Sequence, residues 1–287
     1  VSIVGRVNEW FLSNQRDLPW RRPDFGAWGI LVSEIMLQQT PVVRVIPRLE
    51  NWLERWPTPA ALADSAPGDA VRAWERLGYP RRALSLHAAA VAIVERHDGV
   101  VPSEVAELLA LPGIGDYTAR AVAAFAYGKR HPVVDTNVRR VIARAVAGQG
   151  LAGPPSTQRD LAAMEQLLPH DSAQARIFNA GMMELGAIAC TARAPRCDAC
   201  PLVDDCRWRA LGYPPYLGAS SPVQKRFEGS DRQVRGLILA ELRTSEIPLS
   251  ARELEPVWSD AVQRDRALES LLADGLVVVT DEGLALP

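Results

Sequence analysis

The stretch LPGIGDYTA, Leu111–Ala119, decides how the rest of the chain is read. Two glycines, Gly113 and Gly115, flank an isoleucine, and TARAVAAFAYG follows with the apolar spacing of a helix. A glycine turn at a helix N-terminus offers unpaired backbone N–H groups to an anion. A tyrosine, Tyr117, opens that helix. Yet the 287-residue chain carries a formal net charge of −2. The charge is unevenly spread. From Asp231 onward there are eleven acidic and six basic residues, which leaves 23 acidic and 26 basic residues before it. The larger part is mildly basic and the tail acidic, a balance that permits DNA binding without requiring it. Apart from Lys129 and Lys225, every basic residue counted is an arginine.

Hydrophobic residues make up 48% and charged residues 23%, the composition of a soluble globular protein. No apolar run approaches the roughly 18–20 residues of a membrane span, and nothing near Val1 reads as a signal peptide. An intracellular location is expected, cytoplasm or nucleoid if the source is bacterial. Up to about Arg209 the chain is a succession of helical patterns punctuated by LPW, RWPTPA, LGYP and GVVPSE. The first 211 residues therefore read as an all-α domain. Residues 212–230, rich in Pro, Gly and Ser, read as a linker. Residues 231–287 read as two helices around LSARELEP, where Ser250 and Glu253 have capping-box spacing, and a terminal hairpin turning at Asp281–Gly283. Three helical segments and a hairpin suggest a small α+β, winged-helix-like domain.

All four cysteines, Cys190, Cys197, Cys200 and Cys206, fall in CTARAPRCDACPLVDDC. Four in so short a run is not the pattern of a disulfide framework in an intracellular chain. Four thiolates could hold zinc or an iron–sulfur cluster. Zinc ribbons usually present two C-x2-C knuckles far apart, and here there is one inside a compact run. That favours a 4Fe–4S cluster. Arg193, Arg196, Arg207 and Arg209 among the ligands could turn the loop toward phosphates.

Two carboxyls stand in opposite surroundings. Glu34, in WGILVSEIMLQQT, has Ile30, Leu31, Ile35 and Met36 about it, so desolvation should raise its pKa. Asp135, in HPVVDTNVRRVIARA, precedes a helix, where backbone N–H bonds and the helix dipole should keep it ionised. Carboxyls with pKa values pushed apart suit an acid and a charge-stabilising partner in cleaving a glycosidic bond.

The Gly-x-Gly turn, the VVDTN segment and the four-cysteine run together resemble the helix-hairpin-helix DNA glycosylase superfamily. With LPWR, SEIMLQQT, LGYPRRALSLH and MMELGAIAC, residues 7–210 look like adenine DNA glycosylases of the MutY type. The resemblance implies a two-lobed helical fold closing on DNA. Residues 27–129 would form a helical barrel lobe. Residues 1–26 and 130–211 would form the lobe that carries the cluster loop 190–206. It implies double-stranded DNA with adenine opposite 8-oxoguanine or guanine as substrate, a flipped adenine, and a monomeric enzyme.

By the same resemblance Glu34 would protonate the adenine and Asp135 would stabilise the oxocarbenium ion, with Tyr117 and Asn137 beside it. Trp20 and Arg21 would border the adenine pocket. Gln38, Gln39 and Thr40 would lie at the mispair, with Leu77 and Tyr79 wedged beside the oxidised guanine. The turn through Gly113 and Gly115 would hold a phosphate. Endonuclease III-type relatives place an attacking lysine where this chain has Tyr117, so a monofunctional glycosylase is expected rather than a lyase on damaged pyrimidines. Three departures stand out: Thr136 where a glycine is frequent, Ala180 where Gln or Glu is common, and no Nudix-like C-terminal domain. A rival of another class is a non-enzymatic, cluster-bearing DNA-binding regulator, which calls for a basic recognition helix.

Overall fold

The computed structural model describes residues 2–219 and 226–287, so part of the expected linker, residues 220–225, lies outside the described residues. In chain order the helices are α1 (Ile3–Asn14), α2 (Gly26–Leu37), α3 (Val42–Arg55), α4 (Pro59–Ala63), α5 (Pro67–Trp74), α6 (Arg81–His97) and α7 (Val105–Leu109). They continue with α8 (Asp116–Phe125), α9 (Thr136–Ala145), α10 (Thr157–Glu165), α11 (Ser172–Ile188) and α12 (Arg207–Ala210), then α13 (Asp231–Thr244) and α14 (Ala261–Ala273). A hairpin, β1 (Val278–Thr280) and β2 (Gly283–Ala285), pairs antiparallel with Val279 opposite Leu284. The protein is mostly helical, and no helix among the described residues is long and apolar enough to cross a membrane.

The chain forms two compact units. One comprises Val1–Ile30, Ser103–Leu109 and Gly115–Pro222. The other comprises Leu31–Pro102, Ala110–Ile114 and Val223–Pro287. Residues 103–109 and 115–129 thus belong with the cysteine run, whereas the sequence reading groups them with the barrel. The C-terminal segment shares a unit with α3–α6.

In the first unit, Val7 of α1, Val138 and Val141 of α9, and Phe178, Met182 and Leu185 of α11 form one core, against which Cys190, Cys200 and Cys206 pack. Two glycines allow the close approach of α11. A Cβ on Gly181 would come 2.8 Å from Val7 Cγ1, and one on Gly186 would come 2.7 Å from Asn137 Cβ. In the second unit Trp52, Trp56 and Trp74 stack edge to face, with centroids 4.6 and 5.7 Å apart. In the C-terminal segment Val234, Ile238, Leu242, Leu254, Leu271 and Leu284 are buried. Its capping box at Ser250 and Glu253 forms, but the element it starts, Ala251–Val257, is a 3-10 helix that contains Pro256.

Candidate active site and cluster loop

The glycine turn is built on α6. Leu111 and Ile114 are buried anchors, the Ile114 N–H donates to Leu111 O at 3.3 Å, and Gly113 has φ 74°. A Cβ at Gly113 would sit 2.5 Å from Ser85 Cβ, so both the conformation and the space require glycine. Gly115 caps α8 without a side-chain hydrogen bond, which leaves first-turn N–H groups for a ligand. Asp116 in that turn is drawn toward Arg120 at 3.7 Å and takes up part of the helix-dipole field.

Asp135 is the N-cap of α9, its Oδ1 accepting from the Val138 N–H at 2.7 Å. Asn137 Nδ2 donates to Asp135 Oδ2 at 2.7 Å. Asn137 is itself oriented by Arg140, whose Nη2 donates to Asn137 Oδ1 at 2.7 Å and to Gly186 O at 2.6 Å, and whose Nε donates to Cys190 O at 2.7 Å. The expectation that the cap simply holds Asp135 at a low pKa needs correction. Burial pushes its carboxyl above the ordinary aspartate value and outweighs the bonds from Val138 and Asn137. Tyr117 packs on Ala121, Ala124 and Val133, the last two residues before Asp135.

Glu34 lies near the end of α2 and is 5% exposed, surrounded in sequence by fully or nearly buried Leu31, Val32, Ile35 and Met36. The C-terminal end of α2 is held by a residue that local sequence patterns do not reveal. Arg82 Nη1 donates to Ile35 O, Met36 O and Gln38 O at 2.8, 3.2 and 2.6 Å. Its Nη2 donates to Thr40 Oγ1 at 3.1 Å and Gly78 O at 2.9 Å. Thr40 Oγ1 in turn donates to Leu77 O at 3.1 Å. Arg82 therefore joins SEIMLQQT to LGYP. Burial lowers its guanidinium to about 10, still a cation at neutral pH. Gln39 and Tyr79, with φ 57° and 49°, are left-handed residues on the two joined segments. Such conformations persist where neighbouring bonds over-determine them. Tyr79 is 49% exposed, whereas Leu77 is 4% exposed and belongs to the core rather than to an open wedge.

Trp20 and Arg21 lie in a 3-10 turn, Pro19–Arg21. Arg21 is committed internally. Its guanidinium meets Glu184 at 2.9 Å, donates to Arg16 O at 2.9 Å and lies 5.0 Å above the Phe11 ring. Arg16 joins the same carboxylate at 2.7 Å. Burial alone would raise Glu184, but the bonds from both arginines carry it down to about 2. This triad ties the LPWR turn to α11. Glu184 was visible as a lone acid in FNAGMMELGAIAC, yet its partners lie more than 160 residues away.

The four cysteines form no disulfide and line one cavity with Arg144, Arg196 and Trp208. Desolvation pushes the Cys190 and Cys200 thiols up, Cys200 to about 11, so neither is an activated nucleophile. Among the described residues no three His, Cys, Asp or Glu side chains converge as one metal ion needs. Four sulfur donors around a shared cavity instead fit a polynuclear cluster, and these are the residues that would hold the 4Fe–4S cluster. Arg144, buried and 4.7 Å over the Trp208 ring, donates to Thr191 O at 2.7 Å, Ala192 O at 3.0 Å and Cys190 Sγ at 3.5 Å. Cys190 follows α11 and Cys206 precedes α12, so the four cysteines would tie the end of α11 to the loop and to α12 through such a cluster.

Comparison with known proteins agrees with this construction. The family model of the HhH-GPD superfamily base excision DNA repair protein matches residues 32–166. The iron-sulfur binding domain of endonuclease III matches residues 190–206. Adenine DNA glycosylase of Mycobacterium tuberculosis is 55% identical over 280 residues, 97% of this chain and 91% of that protein. Its counterpart in Mycolicibacterium smegmatis is 56% identical over 275 residues, 96% and 92% of the two. A solved thermostable thymine-DNA glycosylase superposes with TM-score 0.66 at 27% identity, covering 72% of this chain and 95% of that one. With a buried glutamate, a capped aspartate and the cluster loop on this helical frame, the chain belongs to the adenine DNA glycosylase family of base excision repair enzymes.

Proposed function

We propose that this protein hydrolyses the N-glycosidic bond of adenine mispaired with 8-oxoguanine, or with guanine, in double-stranded DNA, and leaves an abasic site in an intact strand. The observation that carries the reading is the network at Asp135, where the Asn137 amide and the Val138 N–H aim one carboxylate that burial has partly desolvated. A carboxylate so held interacts strongly with a positive charge developing at the sugar. In this reading Glu34 delivers a proton to N7 of the flipped adenine, which turns the base into a leaving group. Asp135 faces the sugar carbon, stabilises the oxocarbenium ion or bonds to it transiently, and directs water to the same carbon. Tyr117 borders that site without an amine.

The turn at Gly113 and Gly115 holds a phosphate through backbone N–H groups. Gln38, Gln39 and Thr40 lie at the mispair. Tyr79 stacks beside the oxidised guanine with Leu77 behind it, and Trp20 and Arg21 form a wall of the adenine pocket. The protein acts as a monomer. Residues 231–287 form a winged-helix-like module.

A lyase needs an amine. Lys129 is bonded to Ser103 Oγ at 3.0 Å and to Glu104, and Lys225 lies outside the described residues. A DNA-binding regulator needs free arginines on its recognition helix. On α14, Arg264 donates to Glu255 O and Trp258 O, and Arg266 pairs with Asp231 at 2.7 Å. The test is a duplex with adenine opposite 8-oxoguanine, in which release is read as an alkali-labile site. Absence of base release would sink the reading, and nicking without alkali, trapped by borohydride, would make the protein a lyase. Glu34→Gln and Asp135→Asn should each abolish release and leave binding intact.

A further inference from the structure

The segment that the catalytic reading leaves unused is the C-terminal module, and its contacts are concentrated. Arg243 of α13 reaches α5, its Nε donating to Val71 O at 3.0 Å. Glu75, at φ 44°, turns the chain out of α5, and its N–H bonds to Arg72 O rather than to Val71 O. Arg243 therefore acts as a capping donor supplied from 172 residues away. Burial has lowered its guanidinium to about 10. Arg72 Nη2 answers by donating to Ser245 O at 3.1 Å. At the start of α5 the Gly68 N–H donates to Pro287 O, and a Cβ on Gly68 would come 3.0 Å from Leu286 Cβ and closer still to that oxygen. On the far side of the turn Arg81, first residue of α6, meets Asp274 at 3.3 Å, and Asp274 is fixed by Arg235 at 2.6 Å.

These contacts grip both helices joined by the turn that bears Tyr79. That turn is strained. Glu75, Gly78 and Tyr79 have φ 44°, 83° and 49° within five residues. Left-handed residues other than glycine cost on the order of 1–3 kcal/mol each unless their surroundings impose them.

We propose that the C-terminal module is an internal brace: by gripping α5 at Gly68 and Val71 and α6 at Arg81, it fixes the turn that presents Tyr79 to the mispair. The module acts on the choice of the base opposite adenine through the protein backbone and makes no phosphate contact of its own. Its eleven acidic and six basic residues suit that task. The inference rests on the proposed role of Tyr79. Arg243, Arg81 and Asp274 are positioning residues.

The test uses the full chain. Arg243→Met keeps the apolar stem and removes the bond to Val71, while Arg243→Lys keeps a donor. Two quantities are read: amide exchange at residues 74–82, and the ratio of single-turnover adenine release opposite 8-oxoguanine to that opposite guanine. Arg243→Met should speed exchange there and lower the ratio about fivefold, as expected when only part of the worth of a charged-donor hydrogen bond reaches the discriminating turn. Arg243→Lys should recover most of both. In a Tyr79→Ser background the same change should leave the ratio untouched. Unchanged exchange and ratio would overturn the brace, as would an equal loss in the Tyr79→Ser background. Should Arg243→Met not fold, Asp274→Asn at the more exposed pair makes the same comparison, with a twofold or greater fall expected and no fall refuting. If the wild-type protein releases no adenine, the function proposed above fails, and the exchange measurement still decides the brace.

Discussion

Replacing Arg82 with methionine is the most demanding check on how the glutamate is held. The guanidinium makes five bonds, three from Nη1 to the last carbonyls of α2 and Gln38, and two from Nη2 to Thr40 and Gly78. Bonds from a charged donor contribute about 1.5–3 kcal/mol each, but those sharing one nitrogen do not add. Counting the two nitrogens gives a loss of about 3–6 kcal/mol, and chains of this size shift by about 2–4 °C per kcal/mol, so melting should fall on the order of 10 °C. The stacking of the guanidinium over Trp74 and Tyr79, at 5.2 and 5.4 Å, is lost as well. The effect reaches chemistry because Glu34 directly precedes the first carbonyl held. If a third to a half of the loss is felt at that carboxyl, release slows about tenfold, since 1.36 kcal/mol is one factor of ten. Arg82→Lys retains a cation that can reach the α2 carbonyls but cannot span to Gly78. It should therefore melt between the two. Thermal unfolding and single-turnover release at 20 °C, where all variants are folded, measure both. Melting of Arg82→Met within about 2 °C of wild type would refute the capping role. Lysine as harmful as methionine would show that the fork, not the α2 carbonyls, is what matters.

Glu184, lowered from 4.5 to about 2, stabilises the fold above its unfolded pKa, and that stability is lost as pH falls from about 4.5 toward 2. A shift of this size corresponds to about 3 kcal/mol, so urea midpoints of Glu184→Gln should be lower at pH 7 and show a flatter acid limb than wild type; parallel limbs would contradict this. Asp135 is raised, so the carboxylate is lost as pH falls through a value above 3.8, and release should fail at a higher pH than an ordinary aspartate would set. A limb at or below the ordinary value would count against Asp135 as the group that must be ionised. Gly186→Ala puts a Cβ 2.7–2.9 Å from Asn137 and should cost about 1–3 kcal/mol while slowing release, since α9 must shift; a neutral result would mean that the α9–α11 contact is loose. Purified protein should carry four iron and four sulfide and absorb broadly near ~400 nm, whereas stoichiometric zinc would replace the cluster assignment.

What the sequence made legible was local. Asp135 at the head of a helix, the box at Ser250 and Glu253, and the hairpin turning at Asp281–Gly283 are all seen, because each depends on residues a few positions apart. The ionisation of Asp135 was not legible, since burial is set by what packs over the cap. Leu77 and Tyr79 look alike in LGYP, and only the fold buries one and exposes the other. Arg21 pairs with Glu184, 163 positions away, a contact of which LPWR gives no sign. Arg82 and Arg140 escaped for the same reason. An arginine that seeks backbone carbonyls leaves no spacing to recognise, because every residue supplies a carbonyl.

That habit explains the puzzle of charge. A mildly basic body before Asp231 would ordinarily be read as the footprint of a polyanion. Yet Arg82 is spent on α2, Arg140 on Gly186 and Cys190, Arg144 on Gly150 and the cysteine loop, and Arg139 on Gly153 and Pro154. Arg130 goes to Leu168 and Pro169, and Arg196 to Ile188. Each neutralises a helix end or loop whose carbonyls lack donors, and the fourteen helices among the described residues have these in quantity. Guanidinium suits the task because its planar fork spans several oxygens and stays charged when buried. These arginines measure the amount of helix end to be satisfied, not affinity for DNA. In the proposed function the phosphate contact falls to groups that a charge count omits, the backbone N–H groups of the turn at Gly113 and Gly115. In that reading net charge and nucleic-acid recognition are uncoupled.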